Sequence, residues 1–353
     1  MRKDSSEFLE RLLDAPSPSG FEQAARAMYR EYVSAFADEV RTDVMGNTIA
    51  ALNPTGSPRV ILAGHIDEIG LIVTHVDEKG FLHIAPIGGW DSEVLVGQRV
   101  RVLTDKGPIA GVIAKPPIHL QKPKEREKKA DLRRMVIDIG AADGKAARKM
   151  VAVGDAVVLD AAPLKLAGRR MCARGADDRL GAFVVAEALR RLSGAKRLKA
   201  AVFSVATVQE EVGLRGARTS AWGVDPQVGV AVDVTFASDQ VGVEASRVGD
   251  VKLGKGPVLT RGANINPVLH KKMLAAAGRL KMGTQLQAIP GGTGTDANVI
   301  QLTRAGVATG LVSIPLRYMH SPVEVFDLRD LDACAGLLAA FCESLRPDDD
   351  FTP

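Results

Sequence analysis

The chain has 353 residues, length for about two domains, and is 46% hydrophobic and 25% charged with a net charge of +4. That balance excludes intrinsic disorder and collagen-like or coiled-coil architecture, and no run of 18 apolar residues offers a transmembrane helix. Cys172, Cys334 and Cys342 form no CxxC pair, which argues against a disulfide framework and for a reducing, cytoplasmic setting.

Residues 4–14 and 21–36 carry apolar positions at helical spacing and predict two helices, the first standing where a signal-peptide core would lie. Ser19 and Glu22 predict a capping box for the second. Residues 46–52 and 59–64 predict strands, and the latter is apolar on both faces, as a buried parallel strand is. From 69 to 163 short β-like runs (70–76, 97–104, 107–113, 135–139, 156–159) alternate with turns and predict a small inserted β domain.

Within that insert, residues 115–134 hold eight Lys or Arg against three Asp or Glu, a local charge of +5. No aromatic side chain accompanies them to stack a base, so the stretch reads as a solvated loop or subunit contact, with no nucleic-acid partner. Beyond 165 the alternation of helix 178–192, strands 200–208 and 228–232, helix 267–281, strand 307–314 and helix 328–345 predicts an α/β fold with a mixed, mainly parallel sheet. The helices flank that sheet.

Ionisable residues stand where the apolar strands end: His65 and Asp67 after 59–64, Glu210 and Glu211 after 200–208, Asp233 after 228–232, and His320 six residues past 307–314. Open α/β sheets bind ligands at the carboxyl ends of their strands. Taken singly, each has an ordinary structural reading. HxD opens many polar loops, Glu-Glu suits a helix N-terminus, and Asp177-Asp178 suits the N-cap of the 178–192 helix. Taken together, with one glutamate of the pair as a base, Asp67 orienting His65 and one aspartate of Asp177-Asp178 as a ligand, two imidazoles and three carboxylates remain; they suit zinc, cobalt or manganese and are too many for one tetrahedral zinc. They fit two metals ~3.5–4 Å apart sharing a carboxylate and a water.

These residues stand in strings that resemble the tetrahedral (TET) and glutamyl aminopeptidases, a family of two-metal exopeptidases also labelled cellulase or endoglucanase. The strings are Ala63–Gly70 (AGHIDEIG), Arg174–Gly181 (RGADDRLG), Val208–Ala217 (VQEEVGLRGA), Ala231–Thr235 (AVDVT) and Arg317–Glu324 (RYMHSPVE). The likeness extends to Gly254–Pro257, Gly291–Ala297 and Lys115–Leu120 and departs at Arg261–Asn266, where relatives more often carry an acidic residue. It implies a discontinuous zinc-peptidase-like catalytic domain over 1–68 and 164–353 and a barrel-like dimerisation domain over 69–163.

By the same resemblance, His65 and Asp233 would ligate one metal, Glu211 and His320 the other, and Asp177 would bridge them. Either aspartate of the Asp177-Asp178 pair could bridge, and the glycine at 181 favours Asp177. A cis peptide would precede Asp178. Asp67 would orient His65, and Glu210 would be the general base of a metal-dependent aminopeptidase acting on peptides. Gly291–Ala297 reads as a substrate loop or an ordinary turn, and the other four histidines have no catalytic role. Dimers would assemble into a dodecamer, with no membrane partner. The alternative activity is that of a metal-dependent amidohydrolase on small N-acyl substrates.

Overall fold

The computed structural model describes residues 1–122 and 129–353. Residues 123–128, part of the basic stretch, lie outside the described residues. Two bodies of β-structure organise the chain. The larger is an eight-stranded sheet in the order Glu39–Thr42, Thr48–Leu52, Ala201–Thr207, Arg59–His65, Val228–Phe236, Ala308–Leu316, Val258–Gly262, Gln285–Ile289. Its four central strands run parallel. They are covered on both faces, which is why they read as almost unbroken apolar runs.

Successive side chains of those strands feed two different cores. Val60, Leu62, Val202 and Val230 face the helices Lys3–Asp14, Gln23–Ser34, Ala176–Leu192, Pro267–Arg279 and Leu328–Ser344. Ile61, Ala63, Phe203 and Val205 face Ala217, Ala221 and Val224 of the helix Arg215–Val224 on the other side. That helix was not predicted; its Gly216, Thr219, Ser220 and Gly223 are weak helix formers. Among the described residues, no helix is long and apolar enough to cross a membrane.

The insert closes into a six-stranded barrel, ordered Gly70–Val76, Leu82–Ile87, Val136–Asp138, Gly107–Ala114, Arg99–Thr104, Ala156–Leu159. Alternate residues such as Leu71 and Val73, Val100 and Val102, and Val157 and Leu159 fill its interior. The strand Leu82–Ile87 escaped prediction, because His83 and Pro86 obscure its alternation.

Two expectations need correction. Val228–Phe236 does not stop before Asp233 but continues three residues past it, because Val234, Thr235 and Phe236 stay paired with Ile314, Pro315 and Leu316. The capping box at Ser19 and Glu22 does not form. Glu22 is the N-cap residue of Gln23–Ser34 without a side-chain cap, and its carboxylate accepts from Gly20 N at 2.6 Å instead. Ser19 Oγ donates to Asp67 Oδ2 at 2.6 Å. A buried carboxylate outcompetes a helix end for the hydroxyl.

The helix Ala176–Leu192 lies directly on the backbone of Arg59–His65. A Cβ added at Gly64 would stand 2.3 Å from the Gly181 carbonyl carbon and 2.5 Å from Ala182 N. Only glycine permits that approach. Gly64→Ala is expected to lower stability by about 1–3 kcal/mol, the usual range for overpacking. Denaturant unfolding at unchanged m-value checks this.

Candidate metal centre

The parallel strands share one carboxyl edge, and the candidate residues gather there. His65 ends Arg59–His65, Glu210 and Glu211 follow Ala201–Thr207, Asp233 lies within Val228–Phe236, and His320 sits four residues past Ala308–Leu316. Asp177 and Asp178 open the helix that the two glycines press against the sheet, and the peptide between them is cis.

Asp177 lies between the two histidines. Its Oδ1 is 3.2 Å from His65 Nε2 and its Oδ2 is 3.4 Å from His320 Nε2. Glu210 Oε2 lies 3.7 Å from His65 Nε2, and Glu211 Oε1 lies 3.3 Å from His320 Nε2. Donor atoms of His65, Asp178 and Asp233 also fall within 4.8 Å of one another. The Asp178 carboxylate accepts from two backbone donors, His65 N at 3.2 Å and Gly181 N at 3.0 Å. The glycine at 181 is needed there, since a Cβ would meet Asp178 Oδ2 at 2.1 Å.

Both imidazoles are turned by their other nitrogen. His65 Nδ1 donates to the Asp67 carbonyl at 3.1 Å, and His320 Nδ1 donates to the Gly89 carbonyl at 2.8 Å. With Nδ1 carrying hydrogen, each Nε2 faces the carboxylates as a potential ligand.

The electrostatics fit divalent cations. Asp177, Asp178, Glu210, Glu211 and Asp233 crowd two imidazoles, and most of these groups are buried. Burial, then repulsion from neighbouring carboxylates, pushes Asp178 and Asp233 well above the usual range and Glu210 up to about 10. Glu211 moves the same way, again chiefly by burial. Asp177 goes the other way: burial would raise it, but His320 and His65 hold it low. Hydrogen bonds to Asp177 and Glu211 push His320 up to about 11. A buried cluster so rich in carboxylates calls for bound positive charge, and the nitrogen and oxygen donors suit zinc, cobalt or manganese.

Several supporting contacts were not legible in the sequence. Asp67 was expected to orient His65. Its carbonyl makes that hydrogen bond, while its carboxylate accepts from Glu210 N at 3.0 Å and Glu211 N at 3.2 Å. Asp67 therefore also fixes the Glu-Glu turn. Buried Glu324 accepts from Asp177 N at 3.1 Å and His320 N at 2.8 Å, joining two distant segments. Asp296, in the expected substrate loop, is buried with Oδ2 accepting from Thr207 Oγ1 at 2.6 Å. Glu68 pairs with buried Arg174 and Arg179, and Arg174 also donates to the Asp14 carbonyl at 2.7 Å. That ion cluster anchors the segment leading into Asp177.

Comparison with known proteins identifies the chain's relatives. The model of the M42 glutamyl aminopeptidase family matches residues 46–337. The chain is 39% identical to the lysyl aminopeptidase of Pyrococcus furiosus over 98% of this chain and 99% of that protein. Among solved structures, the TET aminopeptidase of Thaumarchaeota archaeon SCGC AB-539-E09 superposes with a TM-score of 0.92 at 38% identity, covering 98% of each chain. The TET1 peptidase of Pyrococcus horikoshii, which assembles into a tetrahedron or a large octahedral shell, gives 0.86 at 32% identity over 97% of this chain and 100% of that one.

The Glu68 cluster makes a pH prediction. Burial would raise Glu68, but Arg174 and Arg179 override it and hold the carboxyl below its usual value. A depressed folded pKa contributes stability that is complete above the ordinary carboxylate range and lost as pH falls through the folded value. Glu68→Gln is expected to cost about 3–5 kcal/mol at neutral pH by leaving buried guanidiniums uncompensated. The gap from the unmutated protein should narrow in acid, as urea titrations across pH would measure.

Proposed function

This chain belongs to the M42 glutamyl aminopeptidase family and is an aminopeptidase, and on that premise we propose how its residues remove N-terminal residues from peptides. His65, Asp177 and Asp233 would hold one divalent cation, and Asp177, Glu211 and His320 the other. The observation that carries this reading is the Asp177 carboxylate, with one oxygen toward His65 and the other toward His320. The engagement of Asp178 with backbone amides supports the same choice of bridge.

When bound, the two cations supply Lewis acidity to a water and to the scissile carbonyl. The chain does the rest. Glu210 takes the proton of the attacking water at its carboxylate and returns it to the leaving amine. Its placement beside His65, on a turn held by Asp67, supports that role. Asp67 and Gly89 keep the two imidazoles aimed, and Glu324 keeps the Asp177 and His320 segments in register.

The domain boundaries at 68/69 and 163/164 go with a dimerisation role for the barrel and a twelve-subunit assembly built from dimers. The TET1 relative's shells support such an assembly. The free state of all three cysteines supports a cytoplasmic setting.

Glu210→Gln is expected to lower kcat by about 10²–10⁴-fold while two ions per chain remain bound. Chelation should abolish turnover, with zinc, cobalt or manganese restoring it. Peptides with a free amine should be cleaved and N-acetylated ones spared. Equal cleavage of acetylated substrates would transfer the reading to an amidohydrolase, and activity that survives chelation would overturn the metal mechanism.

A further inference from the structure

The two histidines are held in different ways. His65 closes a central strand and is 2% exposed, and its Nδ1 is bonded to a carbonyl two residues on. His320 is 35% exposed and lies in an irregular segment. Tyr318 and His320 adopt φ of 61° and 59°, which non-glycine residues rarely take. Outside contacts must therefore hold the segment. Gln240 Oε1 accepts from Tyr318 N at 2.9 Å and Glu324 Oε1 from His320 N at 2.8 Å. These fix the backbone and leave the ring to be oriented.

The ring is oriented from the inserted barrel. Its Nδ1 donates to the carbonyl of Gly89, just past the barrel strand Leu82–Ile87. A Cβ built on Gly89 would lie 3.5 Å from His320 Nδ1, so the ring sits against the turn. Gly88 has φ of 76°, and a Cβ there would approach Ile69 Cγ2 to 2.5 Å, so glycine is required. The Trp90 indole N–H, bonded to the Gly70 carbonyl at 2.8 Å, ties the far side of the turn to the barrel's first strand. Trp90 and Ile69 line a small cavity together with Asp177, Glu211 and His320.

We propose that the turn Gly88–Trp90 makes the inserted barrel a working part of the metal centre. The Gly89 carbonyl keeps hydrogen on His320 Nδ1, turns Nε2 toward Asp177 and Glu211, and so sets the affinity of the cation held by Glu211 and His320. The inference rests on the two-cation reading above. Gly88, Gly89 and Trp90 are positioning residues, and their effect falls on one cation. The His65 half of the site is built from the sheet and the Ala176–Leu192 helix, with its own carbonyl at Asp67.

The test is calorimetric titration of zinc into metal-stripped protein, intact in sequence or carrying Trp90→Phe or Gly88→Ala. Trp90→Phe removes the tether and keeps an aromatic wall; Gly88→Ala disturbs the turn directly. The unmutated protein should take up two ions. Each variant should hold one at unchanged affinity and the other about 10–100-fold more weakly, the usual effect of losing an outer-shell partner. The retained ion reports that the variant is folded. Cobalt absorption bands should change for one ion only. In zinc-loaded protein with ¹⁵N-labelled histidine, NMR should report His320 ligated through Nε2 with Nδ1 protonated; ligation through Nδ1 overturns the proposal. So do variants matching the unmutated protein, or variants in which both ions weaken together. Uptake of fewer than two ions by the unmutated protein overturns the two-cation reading and the inference with it.

Discussion

The contact between Gly64 and Gly181 is the constraint from which the site follows. Two backbones, a strand and a helix, meet where no side chain can stand between them. That closeness lets the Asp178 carboxylate accept the backbone N–H of His65 and places the neighbouring Asp177 against the imidazole. A larger residue at either glycine would widen the gap that the donor atoms must span. Metal sites tolerate only a few tenths of an ångström of such error.

Concentrating like charge at a sheet edge is destabilising by itself, and the surrounding structure shows how that cost is contained. Backbone N–H groups are directed at carboxylates: Asp67 receives two from the Glu-Glu turn, Asp178 two, and Glu324 two. Behind this layer, the paired guanidiniums of Arg174 and Arg179 neutralise Glu68 before it adds to the repulsion. The charge that remains crowds the two histidines.

Much of this was legible in the sequence because the relevant signals are local. The central strands are apolar on both faces, and a His, Asp or Glu directly after such a run stands out. The order of these residues along the chain carried the family resemblance. What was not legible depends on partners far away in sequence. Ser19 offers a sound capping box until Asp67, 48 residues on, takes its hydroxyl. The strand through Asp233 looks finished at Val232, yet Ala308–Leu316 keeps it paired. Gln285–Ile289 is an edge strand with glutamines at alternate positions, which conceals it. Glu324 and Gly89 act on backbone and ring atoms from other elements, and no spacing rule reports such contacts.

The placement of the barrel has a consequence for the order in which the protein is made. Its strands lie between Gly70 and Leu159 and, among the described residues, pair only with one another, so it can close once that stretch has left the ribosome. The sheet cannot. Arg59–His65 must wait for Ala201–Thr207 and Val228–Phe236, and the last of the gathered histidines arrives at residue 320. Domains fold as units during synthesis, from the N-terminal side onward. Here the insert is complete while the domain around it is still half translated, so the nascent chain is without peptidase activity for nearly all of its synthesis.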